Sequence, residues 1–143
     1  MTVFVKTYNI LVDDMTMVMS EIEFQNKSSR FGLSPKIIQH YETEDKYIIE
    51  MERINGMTLA DFYGEKMSDL PASVLCEVKR ILKILLYSGI QYIDITPYNF
   101  MIEKDTEKIY IIDFEHASRI NINWYVRDFL LEEKLNKWNE DFE

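Results

Sequence analysis

Cysteine occurs once in this chain, at Cys76, so the sequence offers no disulfide framework and no thiolate zinc site. Histidine is nearly as scarce. His40 and His116 stand far apart and are too few to suggest a metal-ligand pair. Basic residues also run short. Sixteen Lys and Arg against twenty-five Asp and Glu leave a net charge of −9, which argues against a nucleic-acid partner, because gripping a phosphate backbone needs clustered cations. No basic block of the kind that binds a membrane surface is present. The most apolar helical stretch, SVLCEVKRILKILLYSGI, is interrupted by Glu77, Lys79, Arg80 and Lys83 and cannot span a bilayer. The opening MTVFVKTYNI lacks the basic and apolar regions of a signal peptide. A reducing cytosol, bacterial or that of a host cell, is the expected location.

What is present is enough for a packed core. The chain has 143 residues, of which 47% are hydrophobic and 13% aromatic, the composition of one ordinary folded domain. TVFVKTYN alternates Val3, Val5 and Thr7 against Phe4, Lys6 and Tyr8, the period of a strand. DDMTMVMSEIEFQNKSSRF reads as a helix with Asp13 or Asp14 at its cap and Gly32 just past its end. PKIIQHYE and KYIIEME flank a polar TEDK turn and predict a hairpin. INGMTLADFYG starts with an Asn-Gly turn and runs into a short helix. The clearest helix spans about Ala72 to Tyr87, with Val74, Val78, Ile81, Leu82 and Leu85 on one stripe and Gly89 as its stop. NFMIE and IYIID predict a second hairpin. The tail WYVRDFLLEEKLNKWNEDFE reads as a helix with Leu131, Leu135, Trp138 and Phe142 on one side. The order β–α–ββ–α–α–ββ–α, with strands and helices segregated, fits an α+β domain.

Three polar residues surround the second hairpin. YIDITPYN carries Asp94 and, five residues on, Asn99; IIDFEHA carries Asp113. Three oxygen donors converging there could hold a metal and a phosphate. They could equally be turn residues, since Asp and Asn commonly end strands and shape loops. Lys6 and Glu21, each taken alone, read as ordinary surface charge.

Taken together and in order, these segments resemble the protein-kinase-like superfamily, from about Val3 to Ala117. VFVK resembles the lysine strand and offers Lys6. SEIEFQ offers Glu21 as its helix partner, with Glu23 as the alternative, and Phe24 at an apolar packing position. YIIEMERINGMTL resembles the strand and hinge that hold adenine. The match implies Met51 at the back of the pocket, with Glu52 and Ile54 giving hinge carbonyl and amide. YIDITPYN resembles the catalytic loop and implies Asp94 as base and Asn99 as metal ligand. IIDFEHA resembles the magnesium motif and implies Asp113 as the second metal ligand. The resemblance thus implies ATP and Mg2+ as ligands. Lys6 steadies the phosphates, Glu21 orients it, and hard oxygen donors suit the metal.

The chain departs from that pattern in five places. Lys6 is the sixth residue, which leaves no room for two earlier strands and a glycine-rich loop. Tyr92-Ile93 replaces His-Arg before the aspartate. Thr96 stands where many relatives have lysine. Glu115 replaces the glycine of Asp-Phe-Gly. Thirty residues follow Asp113, too few for a full helical lobe. The expectation is a single truncated kinase-like domain over 1–143, with a reduced N-lobe at 1–55 and a reduced C-lobe at 56–143, similar to the minimal kinases of some bacterial pathogens and viruses. Two functions follow. One is a minimal kinase that transfers phosphate to a Ser/Thr or small-molecule hydroxyl. The other is an inactive pseudokinase or mimic that works by binding a partner protein, either a kinase or a subunit completing the nucleotide lid.

Overall fold

Val3–Asn9, rich in β-branched and aromatic residues, forms β1. The computed structural model describes residues 2–119 and 122–142. After β1 the chain turns through residues 10–14, where the Asp14 carboxylate accepts the Thr16 N–H and starts helix α1, Met15–Arg30. Strands β2, Ile37–Glu42, and β3, Lys46–Glu52, form the expected hairpin. The first sheet is antiparallel, in the order β1-β3-β2. One face of it packs Tyr8, Ile49 and Met51 against Val18 and Ile22 of α1.

The Asn-Gly segment adds an element that periodicity does not reveal. Gly56–Thr58 is a short strand, β4, paired with β5. A Cβ on Gly56 would sit 1.9 Å from the carbonyl oxygen of Ile102, so only glycine lets the two backbones approach there. Helix α2, Leu59–Tyr63, follows, capped by the Thr58 hydroxyl. Helix α3 runs over Ala72–Tyr87, and all five residues of its apolar stripe are buried. Strands β5, Phe100–Glu103, and β6, Ile109–Ile111, complete a second antiparallel sheet in the order β4-β5-β6. The fold is therefore α+β, with two three-stranded sheets and four helices among the described residues.

The main core gathers α3, β5, β6, the loop before β5 and part of the tail. Helix α1 bridges both cores, because Phe24 belongs to the main one. The Ser28 and Ser34 hydroxyls join in a 2.6 Å bond, and Ser34 donates to the Ile111 carbonyl, which ties the end of α1 to β6.

The tail departs from the expected long helix. Helix α4 covers only Trp124–Val126 and widens at Arg127–Leu131 into a turn in which the Glu132 N–H reaches back to Arg127. Glu133 then takes φ +53°, and the Lys134 N–H bonds to the Asp128 carbonyl at 2.7 Å. The reversal has a packing cause. It buries Trp138 against Phe100 and lets Asn139 bond the loop that carries Asp94. A continuous helix would carry both residues past those partners. Leu135 still packs on the core, whereas Leu131 is partly exposed. No helix among the described residues is long and apolar enough to cross a membrane.

Candidate functional site

Side chains alternate along β1, so Phe4, Lys6 and Tyr8 share the face that looks toward α1. Nearly two turns into α1, the buried Glu21 meets Lys6 and Tyr8. Its carboxylate takes the Lys6 ammonium on Oε1 and the Tyr8 hydroxyl on Oε2. Lys6 also reaches Asp113 Oδ1 at 3.3 Å. The strand lysine thus lies between two carboxylates from elements far apart in sequence. Glu23, the alternative partner, points away and pairs with Arg119.

The charge state follows from this geometry. Burial alone pulls the Lys6 ammonium toward neutrality. The Glu21 and Asp113 charges outweigh it and hold the group above its ordinary value. Burial pushes the Tyr8 hydroxyl up, and its bond to Glu21 pushes the same way.

A cavity of about 330 Å3 opens beside this cluster, within the usual range of small-molecule sites. Lys6, Glu21, Met51, Glu52, Ile54 and Asp113 all line it. Gln25 donates to the Pro35 carbonyl at 3.0 Å and to the Met51 sulfur at 3.3 Å, which fixes Met51 in the wall. Met101 and Ile112 add apolar surface. The Glu52 N–H is already used by the Lys36 carbonyl, and the Ile54 carbonyl takes the Gly56 N–H.

Asp94 and Asn99 sit in the loop between α3 and β5, both buried. The Asn99 amide donates to the Asp94 carbonyl at 2.9 Å, closing the loop on itself and leaving the amide oxygen on the opposite branch. The Asn99 carbonyl accepts the Ile112 N–H at 2.9 Å, which brings the loop beside Asp113. Burial pushes the Asp94 carboxyl up, His116 pulls against it through a 3.4 Å contact, and the Asp113 charge pushes up again. Asp113 has φ +62°, in the left-handed region that Asp and Asn enter more readily than other residues with side chains. Its Oδ1 accepts the Glu115 N–H. Tyr92 is buried, donates to the Ile112 carbonyl at 2.5 Å and packs edge-on against Phe114.

Asp113 and Asn99 are oxygen donors and suit a hard cation. No group of three or more His, Cys, Asp or Glu able to hold a metal exists among the described residues. Three contributors escaped the sequence reading. Tyr8 shares a strand face with Lys6, and that alternation could have found it. His116 follows Asp113 closely but has no spacing that points to Asp94. Asn139 gives no sequence signal. Its side chain donates to the Ile93 carbonyl and its N–H to the Ile95 carbonyl, both at 2.9 Å, bracing the Asp94 loop from the tail.

The chain matches no protein-family model and no curated protein.

Proposed function

We propose that the cavity binds an adenine nucleotide with magnesium and that the protein is a minimal member of the protein-kinase-like superfamily, moving a phosphoryl group to a hydroxyl. One observation carries the reading: Lys6, Glu21, Asp113, Met51, Glu52 and Ile54, which the motif order groups together, line a single cavity. The sheet order β1-β3-β2 with α1 on one face, and the Asp94 loop leading into the β5–β6 hairpin, agree with it.

In this reading Met51 and Ile54 contact the base, and Lys6, oriented by Glu21, faces the phosphates. Asp113 and Asn99 are the metal donors. Two protein oxygens suit magnesium, which keeps much of its water and shares the phosphates. When bound, the metal neutralises charge on the phosphate oxygens. The acceptor oxygen forms its bond to the γ-phosphorus as the bond to the β-phosphate oxygen breaks. The acceptor proton passes to Asp94, and ADP leaves. The upward push on Asp94 makes it a better base near neutral pH than an ordinary aspartate.

Isothermal titration with ATP, with and without magnesium, tests the reading. Binding that magnesium strengthens in the native chain, but not in Asp113→Ala, is expected. No heat at millimolar nucleotide overturns it. A phosphate-transfer assay with Asp94→Asn as control then tests the chemistry.

A second reading, a kinase mimic that acts by binding a protein, is favoured by one feature: β1 is an edge strand with Phe4 and Val5 about half exposed. Under it, Asp94→Asn keeps partner binding. Loss of binding in that variant, with the fold intact, removes this reading.

A further inference from the structure

The two edges of the first sheet are built differently. β2 begins just after Pro35, and its pairing with β3 slips at an irregularity between Ile37 and Gln39. Prolines, bulges and charge are the usual means of keeping an edge from pairing with another chain. β1 carries none of them on its open side. Its register with β3 runs unbroken from Val3↔Glu52 to Asn9↔Lys46. It contains no proline; its one charged residue, Lys6, is an inward-pointing charge of the kind that can guard an edge, but Glu21 and Asp113 neutralise it here.

Antiparallel pairing alternates along a strand. The Arg53 N–H donates to the Thr2 carbonyl and the Ile10 N–H to the Asp45 carbonyl, so even-numbered residues direct their backbone groups at β3. Val3, Val5 and Thr7 therefore turn their N–H and C=O groups outward. Val5, at the centre, is 51% exposed.

Charge says what fits there. On the face that carries Val3 and Val5, the paired residues of β3 are Glu52 and Glu50. Their hydrogen-bond partners are the Lys36 N–H and the Gln39 amide. Among the described residues no Lys, Arg or His forms a salt bridge with either. A strand added to β1 lies two strand spacings, about 10 Å, from Glu50, a gap that a long basic side chain crossing Val5 can span. A second copy would instead bring a charge of −9 against −9. The opposite face of the added strand lies over Phe4, which favours apolar residues at the alternate positions.

We propose that β1 is a strand-addition edge for a partner protein's extended segment, one that alternates Lys or Arg on the Val5 face with apolar residues on the Phe4 face. The inference rests on the sheet alone and stands whether or not the cavity binds nucleotide.

Fluorescence anisotropy on the full chain tests it, with a labelled Lys-Val alternating peptide, its Glu-Val counterpart and a Lys-Val peptide N-methylated along one edge. The Lys-Val peptide is expected to bind, with the other two at least ~10-fold weaker, the N-methylated one by the equivalent of one or two lost backbone bonds and the Glu-Val one because it brings like charge towards Glu50 and Glu52. Val5→Pro removes an outward N–H that β3 does not use, a position where edge strands tolerate proline. It is expected to keep the native circular dichroism spectrum and lose the peptide by a similar factor. Should that variant not fold, the N-methylated peptide on the native chain asks the same question. Equal binding of the N-methylated peptide overturns strand addition, and equal binding of the Glu-Val peptide overturns the charge assignment. Sedimentation showing a dimer that Val5→Pro dissolves replaces the partner with a second copy.

Discussion

The two hydrophobic clusters differ in what holds them. Among the described residues, twenty-two buried side chains form one cluster around α3 and the second sheet; between the first sheet and α1 there are five. The larger half therefore keeps its shape by burial, and it fixes the loop bearing Asp94 and Asn99. The smaller half has little apolar surface to bury. Set into its single packed face is a triad, the Lys6–Glu21 ion pair with the neutral Tyr8 hydroxyl donating to Glu21. Asp113, in contact with Lys6, joins the two halves. A site assembled this way has one rigid wall and one wall whose position depends on electrostatics.

The comparison can be broken most severely in the larger half. Phe100 is fully buried between Tyr92 and Trp138. Phe100→Ala is expected to cost about 3–5 kcal/mol, read as a large drop in urea midpoint, with both halves lost together.

Lys6→Met attacks the smaller half. It leaves the buried Glu21 carboxylate without its cation, at a cost of about 3 kcal/mol. The double variant Lys6→Met/Glu21→Gln is expected to recover part of that in thermal melts. The same triad predicts a pH response. Lys6 is held above its ordinary 10.5 and Tyr8 above its ordinary 10.0. Stability from each is fully present below those values and is lost as the pH rises beyond them. The native chain should therefore weaken more steeply above about pH 10 than Lys6→Met/Tyr8→Phe, as followed by melting temperature.

Asn139→Ala tests the brace between tail and loop. It removes one of the two donors to the Ile93 carbonyl, the Ile95 N–H remaining, for about 1 kcal/mol. Faster hydrogen exchange confined to residues 93–99 and the tail is the expected signature; unchanged exchange there would remove the bracing role.

The smallest effect runs the other way. Asp94 is held above its ordinary 3.8, chiefly by burial. Such a carboxyl favours the folded state when protonated and weakens it once ionised, so its contribution is present at low pH and lost as the pH rises through the folded value. Asp94→Asn is expected to melt slightly higher than the native chain at neutral pH, the gain fading as the pH falls from the raised folded value towards 3.8. A lower melting temperature at neutral pH would show that Asp94 is structural.

Local order was largely legible. Asp14 at the start of α1, the Ala72–Tyr87 helix with its stripe, and both hairpins lie where capping, periodicity and turn residues put them. These features depend on neighbours a few residues apart. The site was legible to the extent that Lys6, Glu21 and Asp113 lie together on one cavity wall. Glu21 was the partner expected there, with Glu23 as the alternative; the packing of α1 on the sheet sets Glu21 against Lys6 and leaves Glu23 to Arg119.

The amino-acid sequence by itself determined the strands β1, β2, β3, β5 and β6, the helices α1 and α3, and the polar residues available to a site, because propensity, period and capping act within a few residues. Only the tertiary structure decided that Gly56 brings β4 against β5, that the tail reverses to seat Trp138 and Asn139, that Tyr8 and His116 join the charged residues, and that β1 is left as an open edge. Each of these depends on contacts between segments distant in the chain, where burial and hydrogen-bond satisfaction outweigh local preference.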